Sequence, residues 1–437
     1  MPRLPMMRVV QISATDAKGG AALAANRLHR ALRTQGVAST MFVAETIWED
    51  ENVRQFKIAS RPSLNHFLYR VARRLQRRVS FPDGMLFTLD WTLLGGLPLR
   101  QLPPADVLHL HWIADFIDFR SLPRLASRAP LVWTFHDMNA FTGGCHYDGG
   151  CGRFTDQCGA CPLMKSEDVR DVTSRVIRRK MLALQSIPDS RLVVVAPSEW
   201  MAGEVRRSRI FGRFETRVIP NGIDLDVYRP VDRAAVRQRL GFAPEDRVVL
   251  FVAETLRDGR KGWAALMQTL APLLIQPRLR VLTIGNGDTS TMSGPQYRHL
   301  GRLVDPVAIR DAYNAADFFV IPSFQDNFPN TVIEALACGT PVAGFATGGI
   351  IDAVEEGECG LLAPTGDIAG FTECIRALLD DDALRRSMSV AARARAVAHY
   401  GTARQAQAHR ALYEELIEAG RGTPARVGIP ASLPLPS

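Results

Sequence analysis

Long apolar runs are missing from this chain of 437 residues. The longest, at 192–196 and 248–253, fall far short of the roughly 18 residues that cross a bilayer, so no transmembrane helix is expected. Residues 1–5 lack the apolar core of a secretory leader and run straight into a strand-like segment, which makes the cytoplasm the expected location. A strong charge of one sign is also lacking. A net charge of +8 permits anionic partners but is too dilute over this length to argue for nucleic acid, and none is expected. Lysine is nearly absent, with five among 53 basic residues, a skew that genomic base composition explains. A dinucleotide fingerprint is missing as well, because Ser290 stands where the run Gly285, Asn286, Gly287 would need its third glycine. An oxidoreductase reading thereby loses its main support.

What is present is an alternation of strand-like and helix-like segments. Residues 7–13 read as a buried strand that breaks at Lys18, Gly19 and Gly20 and enters a helix over 21–33. Further strands are predicted at 39–44, 107–110, 131–135 and 192–196, separated by stretches long enough for crossover helices. After a proline and a turn at 219–224 the cycle resumes, with strands near 248–252, 280–284, 316–321, 341–345 and 360–362 and helices such as 261–273 and 330–338. The expected fold class is therefore α/β, with two doubly wound Rossmann-like domains facing each other across a cleft, where such folds bind ligands. The boundaries read as 1–218 for the first domain and 225–385 for the second. Helices over 386–420 are expected to cross back to the first domain, and 421–437, with four prolines and no periodicity, to be a disordered tail.

The chemistry concentrates in 322–342. A strand ends, a polar loop carries Asp326, and a helix begins near Asn330 with Glu334 one turn inside. The free N–H groups of that helix start form an anion site. A carboxylate would repel a phosphate there, but it makes sense as an acceptor of hydrogen bonds from sugar hydroxyls, which points to a nucleotide or nucleotide sugar. An acid, seven residues, then Glu334 resembles the hallmark of the family 4 retaining glycosyltransferases of the group 1 type, which have the GT-B fold. The resemblance covers roughly 7–415. It implies that Glu334 pairs with the ribose of the donor nucleotide and that Asp326, one methylene shorter than the family's usual glutamate, lies against the donor sugar.

The same resemblance gives roles to other residues. Lys261 matches the lysine of the family's phosphate-binding loop, while Thr255 stands where an arginine is usual, so that Arg257 or Arg260 would supply the second cation. Asn330 and Thr331 open the helix that faces the diphosphate. Gly19 and Gly20 match the glycine loop of the first domain, whose backbone approaches the donor; beside them Lys18 reads more plainly as a solvated lysine. His136, at the end of a strand, resembles the histidine that contacts the donor sugar. His109 and His111 fall on one face of a strand. His111 and Trp112 are assigned to the acceptor side and His109 to the core. The leaving diphosphate is expected to be stabilised by Lys261 and helix-terminal amides, with no catalytic metal and no assigned nucleophile.

Two further features stand apart. Cys145, Cys151, Cys158 and Cys161, set among glycines, have a spacing that can close a tetrahedral structural zinc site, with reduced thiols or disulfides and an iron–sulfur cluster as the alternatives. This loop resembles insertions in the members that build bacterial exopolysaccharides such as colanic acid. Residues 63–79 place apolar side chains at helical spacing among five arginines, a pattern that fits either an anionic membrane surface or a helix covering the domain core. The expected activity is retaining transfer of a sugar from a UDP- or GDP-type donor to a hydroxyl of an oligosaccharide or lipid-linked saccharide, in cell-surface polysaccharide synthesis. A nucleotide-sugar epimerase of the same fold and a non-catalytic zinc-dependent binding protein are the rival readings.

Overall fold

The computed structural model describes residues 6–58, 86–256, 258–287 and 294–421, with isolated positions between 64 and 74. The segment 63–79 for the most part, and the tail beyond 421, lie outside the described residues. In the first domain the strands are β1 (Arg8–Thr15), β2 (Ala38–Glu45), β3 (Val53–Gln55), β4 (Val107–Leu110), β5 (Leu131–Thr134), β6 (Leu192–Ala196) and β7 (Glu215–Val218). They form one parallel sheet of seven strands in the order β3-β2-β1-β4-β5-β6-β7. In the second domain β8 (Arg247–Thr255), β9 (Leu279–Asn286), β10 (Tyr297–His299), β11 (Phe318–Ile321), β12 (Val342–Ala346) and β13 (Gly360–Pro364) form a parallel sheet of six, in the order β10-β9-β8-β11-β12-β13.

The central strands β4, β5 and β6 are buried along their whole length, the signature of a parallel sheet covered by helices on both faces. One face of the first sheet packs Val10, Ile12, Leu108, Leu110, Trp133 and Phe135 into the larger core. The other face packs Val9, Val107, Val132 and Val193 with Leu28, Leu32 and Tyr413. In each sheet the strand order reverses beside the first strand, between β1 and β4 and between β8 and β11. Crevices open outside the carboxyl ends of the strands at such points.

The crossing back to the first domain is narrower than the sequence reading. The helix Asp382–His399 stays on the second domain, where Ala392 and Ala396 join its core and Arg393 donates to the carbonyls of Tyr228 and Ala337. Only the helix Thr402–Arg421 crosses, because its apolar face, with Ala406, Leu412 and Tyr413, completes the first domain's core. The two segments that join the domains run side by side: the Ile223 amide donates to the Tyr400 carbonyl at 2.7 Å and Thr402 returns a bond to Ile223 at 3.1 Å.

Candidate functional site

Five strand ends converge on the cleft. After β1 the chain turns through Gly19, whose φ of +84° suits glycine, and starts the helix Gly20–Thr34. Directly across, the helix Asn330–Ala337 begins after Pro329 with no side-chain cap, leaving its first N–H groups for other partners. The two meet: Asn330 Nδ2 donates to the Gly20 carbonyl at 2.9 Å, and a Cβ on Gly19 would lie 3.6 Å from Glu254 Oε2 at the end of β8. Thr331 is half-buried in the same helix start, and Lys18 is exposed.

Glu334, buried one turn inside, is held on both oxygens. Arg27, from the helix that follows the glycine loop, donates Nη2 to Oε1 at 2.7 Å, and the Tyr313 hydroxyl donates to Oε2 at 3.2 Å. The Arg27 guanidinium also lies 5.5 Å over the Tyr228 ring, and its Nη1 is buried with no hydrogen-bond partner. Burial opposes the Arg27 charge, yet Glu334 beside it raises the pKa above the ordinary arginine value. A carboxylate has about four lone-pair sites, so Glu334 keeps acceptor capacity for two vicinal hydroxyls.

Asp326 sits where β11 gives way to the loop. Its Oδ2 accepts from Lys261 Nζ at 2.5 Å and from the Ser323 hydroxyl at 3.4 Å, with Arg260 Nη1 also 3.4 Å away. Burial by itself would push this carboxyl up; Lys261 and Arg260 outweigh it and hold it below the usual carboxylate range. Arg260 is thus a second cation beside Asp326, while Arg257 lies outside the described residues. The loop is packed against 347–349. A Cβ on Gly349 would lie 1.6 Å from the Asn327 carbonyl oxygen and one on Gly348, at φ +54°, 1.8 Å from that of Asp326, so both positions need glycine.

His136 leaves β5 at the cleft, next to Phe135, whose carbonyl accepts from Asn327 Nδ2 of the second domain at 2.8 Å. Behind it lies a column of rings. His136 Nε2 is 3.0 Å from His111 Nδ1, and His111 Nε2 is 2.6 Å from Gln11 Oε1. Gln11 Nε2 donates to the Tyr413 hydroxyl at 3.4 Å, which is 2.6 Å from His109 Nδ1. A fourth ring, His409, stacks on His109 with centroids 5.3 Å apart. Gln11 Oε1 can only accept, so His111 carries its proton on Nε2 and receives one at Nδ1 from His136. Burial pushes His136 down to about 4 and His111 further below its usual value. His111 is therefore not a wall of the acceptor side but the support of His136, and His109 is buried in the core. Trp112 Nε1 donates to Asp137 Oδ2 at 3.0 Å, tying it to the turn after β5.

The four cysteines of 145–161 are free thiols, and the other three lie close enough to Cys145 to add to the effect of its burial. Among the described residues no three His, Cys, Asp or Glu side chains are grouped to hold a metal ion. The tetrahedral site expected from the spacing is thus not formed in this arrangement. Cys145 and Cys161 turn into an apolar nest with Phe87, whereas Cys151 and Cys158 are only half-buried. Burial pushes the Cys158 thiol up to about 12 and the Cys145 thiol higher.

Arg27, Tyr147, Tyr313, Gln325 and Gln11 escaped the sequence reading. Arg27 alone carried a signal, as a charged residue two turns into the helix that follows the glycine loop.

Residues 18–227 match the model of "Glycosyltransferase Family 4" and residues 246–381 that of "Glycosyl transferases group 1". The D-inositol 3-phosphate glycosyltransferase 1 of Catenulispora acidiphila is 33% identical over 75% of this chain and 76% of its own length. A D-inositol 3-phosphate glycosyltransferase of Nocardia farcinica is 32% identical over 69% of this chain, which spans 64% of that relative. Among solved structures, the sucrose-phosphate synthase of Thermosynechococcus elongatus has the same fold, with a TM-score of 0.65 at 20% identity over 94% of this chain and 100% of its own. So does Anabaena HepE in complex with UDP-glucose, with a TM-score of 0.61 at 17% identity over 95% of this chain and 100% of its own. The paired sheets, the facing strand ends and the identity over three quarters of the Catenulispora relative lead to one assignment: the chain belongs to the group 1 glycosyltransferases, glycosyltransferase family 4.

Proposed function

We propose that the protein is a retaining glycosyltransferase that moves a sugar from a nucleoside-diphosphate donor to a hydroxyl of a saccharide or lipid-linked saccharide in cell-surface polysaccharide synthesis. One observation carries the donor half: at facing strand ends, Glu334 at an uncapped helix start lies in the same cleft as Asp326 with its cations Lys261 and Arg260. Ribose hydroxyls find an acceptor in Glu334, and the diphosphate finds amides and two cations. Charge that develops on the leaving phosphate meets Lys261 and Arg260, fixed in place before the reaction. His136, neutral and oriented by His111, serves the sugar as a hydrogen-bonding group rather than a charge. The acceptor proton passes to the leaving phosphate, so no side-chain nucleophile is required.

The test is thermal stability with UDP, GDP and ADP. A nucleotide at about a hundred times its dissociation constant adds roughly 2.7 kcal/mol to stability, and one of the three is expected to do so. Glu334→Gln, which keeps the volume but loses the charge, is expected to lose most of that shift. Absence of a shift with all three nucleotides would remove the donor reading. Since Lys261 and Arg260 take the part of a metal in this scheme, transfer is expected to survive EDTA, and loss of turnover restored by added magnesium would count against it. Conversion of the donor sugar without acceptor would favour the epimerase. Acceptor trials should include D-inositol 3-phosphate, which the curated relatives' names specify.

A further inference from the structure

The cysteine-rich loop is a prominent sequence feature that the transfer scheme leaves unused, and it does not stay on the first domain. Its tip crosses the cleft. Gln325, the residue before Asp326, donates Nε2 to Asp148 Oδ1 at 2.8 Å and accepts from the Gly149 amide at 3.1 Å. Asp148 is in turn the organiser of the tip, accepting from the amides of Gly150 at 3.0 Å and Gly152 at 2.9 Å. One residue earlier, the Tyr147 ring lies 4.3 Å from the Arg260 guanidinium, and its hydroxyl is 3.4 Å from Asp326 Oδ1.

The arm behind this tip is braced. His146 Nδ1 bonds Asp137 Oδ2 at 2.7 Å and Nε2 bonds the Thr88 hydroxyl at 2.8 Å. Lys180, fully buried, donates to the carbonyls of Asn139 and Thr142 and lies 4.8 Å over the Phe119 ring. Cys145 and Cys161 anchor the base of the loop among Phe87, Leu163 and Val172. A braced arm ending on the two residues that meet the sugar–diphosphate junction fits a positioning element better than a passive cover.

We propose that the cysteine-rich loop is a donor-sugar clamp, in which Tyr147 positions Arg260 and Asp326 against the sugar end of the donor and the Gln325–Asp148 bond is the catch that holds the loop across the cleft. The clamp rests on the donor reading above. The ring carries the positioning, since a planar guanidinium stacked on an aromatic face is fixed in orientation, whereas the hydroxyl contact at 3.4 Å is long. The clamp assigns the loop to sugar selection rather than to nucleotide selection.

The experiment compares binding of the free nucleotide with binding of its sugar ester. A panel of UDP-glucose, UDP-galactose, UDP-N-acetylglucosamine, GDP-mannose and GDP-fucose identifies the ester that wild type binds most tightly. Affinities for that ester and for its nucleotide are then measured by calorimetry on Tyr147→Phe, Tyr147→Ala and Gln325→Glu, the last of which sets a carboxylate against Asp148. Tyr147→Ala and Gln325→Glu are expected to lower the ester-to-nucleotide affinity ratio about tenfold, one well-oriented contact. Tyr147→Phe, which keeps the ring on Arg260, should stay within about threefold of wild type. Retained nucleotide binding shows that the variants are folded. An unchanged ratio in the Ala and Glu variants overturns the clamp while leaving the donor reading intact. Failure of wild type to bind any member of the panel or its nucleotide overturns both.

Discussion

Glu334→Ala is expected to cost the protein about 3 kcal/mol of folding stability, before any ligand is considered. The reason is Arg27. Its guanidinium is brought across the cleft onto Glu334 Oε1 and sits mostly buried, with side-chain exposures of 17% for Arg27 and 9% for Glu334. Breaking a buried pair by removing one partner leaves the other charge uncompensated, and an arginine cannot escape by losing its proton. One guanidinium nitrogen, Nη1, already lacks a partner, so the site has no second acceptor in reserve. Replacing both residues, Arg27→Met with Glu334→Ala, should recover most of the loss, because an apolar side chain of similar length can lie against the Tyr228 ring. Urea unfolding of the two single variants and the double variant measures this as a cycle. A loss below about 1 kcal/mol for Glu334→Ala would show that the pair is solvent-screened and that the domains are not joined through it. The double variant is also the clean reference for nucleotide binding, since it removes the proposed ribose acceptor without leaving a buried charge behind.

The parts of this site that were legible in the sequence are those whose chemistry is local. Asp326 and Glu334 share one loop–helix unit, and Gly19, Gly20 and Lys261 lie in loops directly after buried strands, where the resemblance to the family can be matched residue by residue. The strands β1, β4, β5 and β6 were legible for the same reason, as runs buried on both faces. The strands β3, β7 and β10 were not, because each is an edge strand of three or four residues with alternating exposure and no apolar run. Arg27, Tyr147 and Gln325 act across the cleft on residues far away in sequence, and no periodicity encodes such a meeting. Cysteine spacing alone suggests a closed metal site, but the sequence cannot show that Cys145 and Cys161 turn toward Phe87. His111 was misplaced for a similar reason: alternation correctly put His109 and His111 on one face, their rings 4.1 Å apart, but gave no sign that Gln11 and Tyr413 close the column from the other side.

That column sets the response to acid. Five histidines packed in the first domain are pushed down: His29, His136 and His409 to about 4, and His109 and His111 well below their usual value, in each case chiefly by burial. Each is held neutral in the folded protein and takes up a proton only on unfolding, so stability rises with pH through this range. The contribution is complete above the unfolded histidine pKa of about 6.5 and is lost as pH falls below it toward 4, at a rate of about 1.4 kcal/mol per pH unit for each ring. No carboxylate rescues the column. The one that favours a charged His136, Asp137, is held on His146 at 2.7 Å. Asp137 and Asp326, held below the usual carboxylate range, add their loss only at lower pH, near 4 and below. The unfolding free energy is therefore expected to fall by several kcal/mol between about pH 6.5 and 4.5, with a slope equal to more than one proton. His409 isolates the cause. Its Nδ1 bonds only the Gln405 carbonyl of its own helix, at 2.9 Å, and its Nε2 has no partner, so His409→Phe should fold and flatten the slope by about one proton. Urea titrations at four or five pH values measure it, and an unflattened slope would mean that His409 titrates normally inside the fold. The same neutrality reaches the cleft, where His136 stays uncharged from about pH 5 to 8 and so adds no pH dependence of its own to transfer across that range.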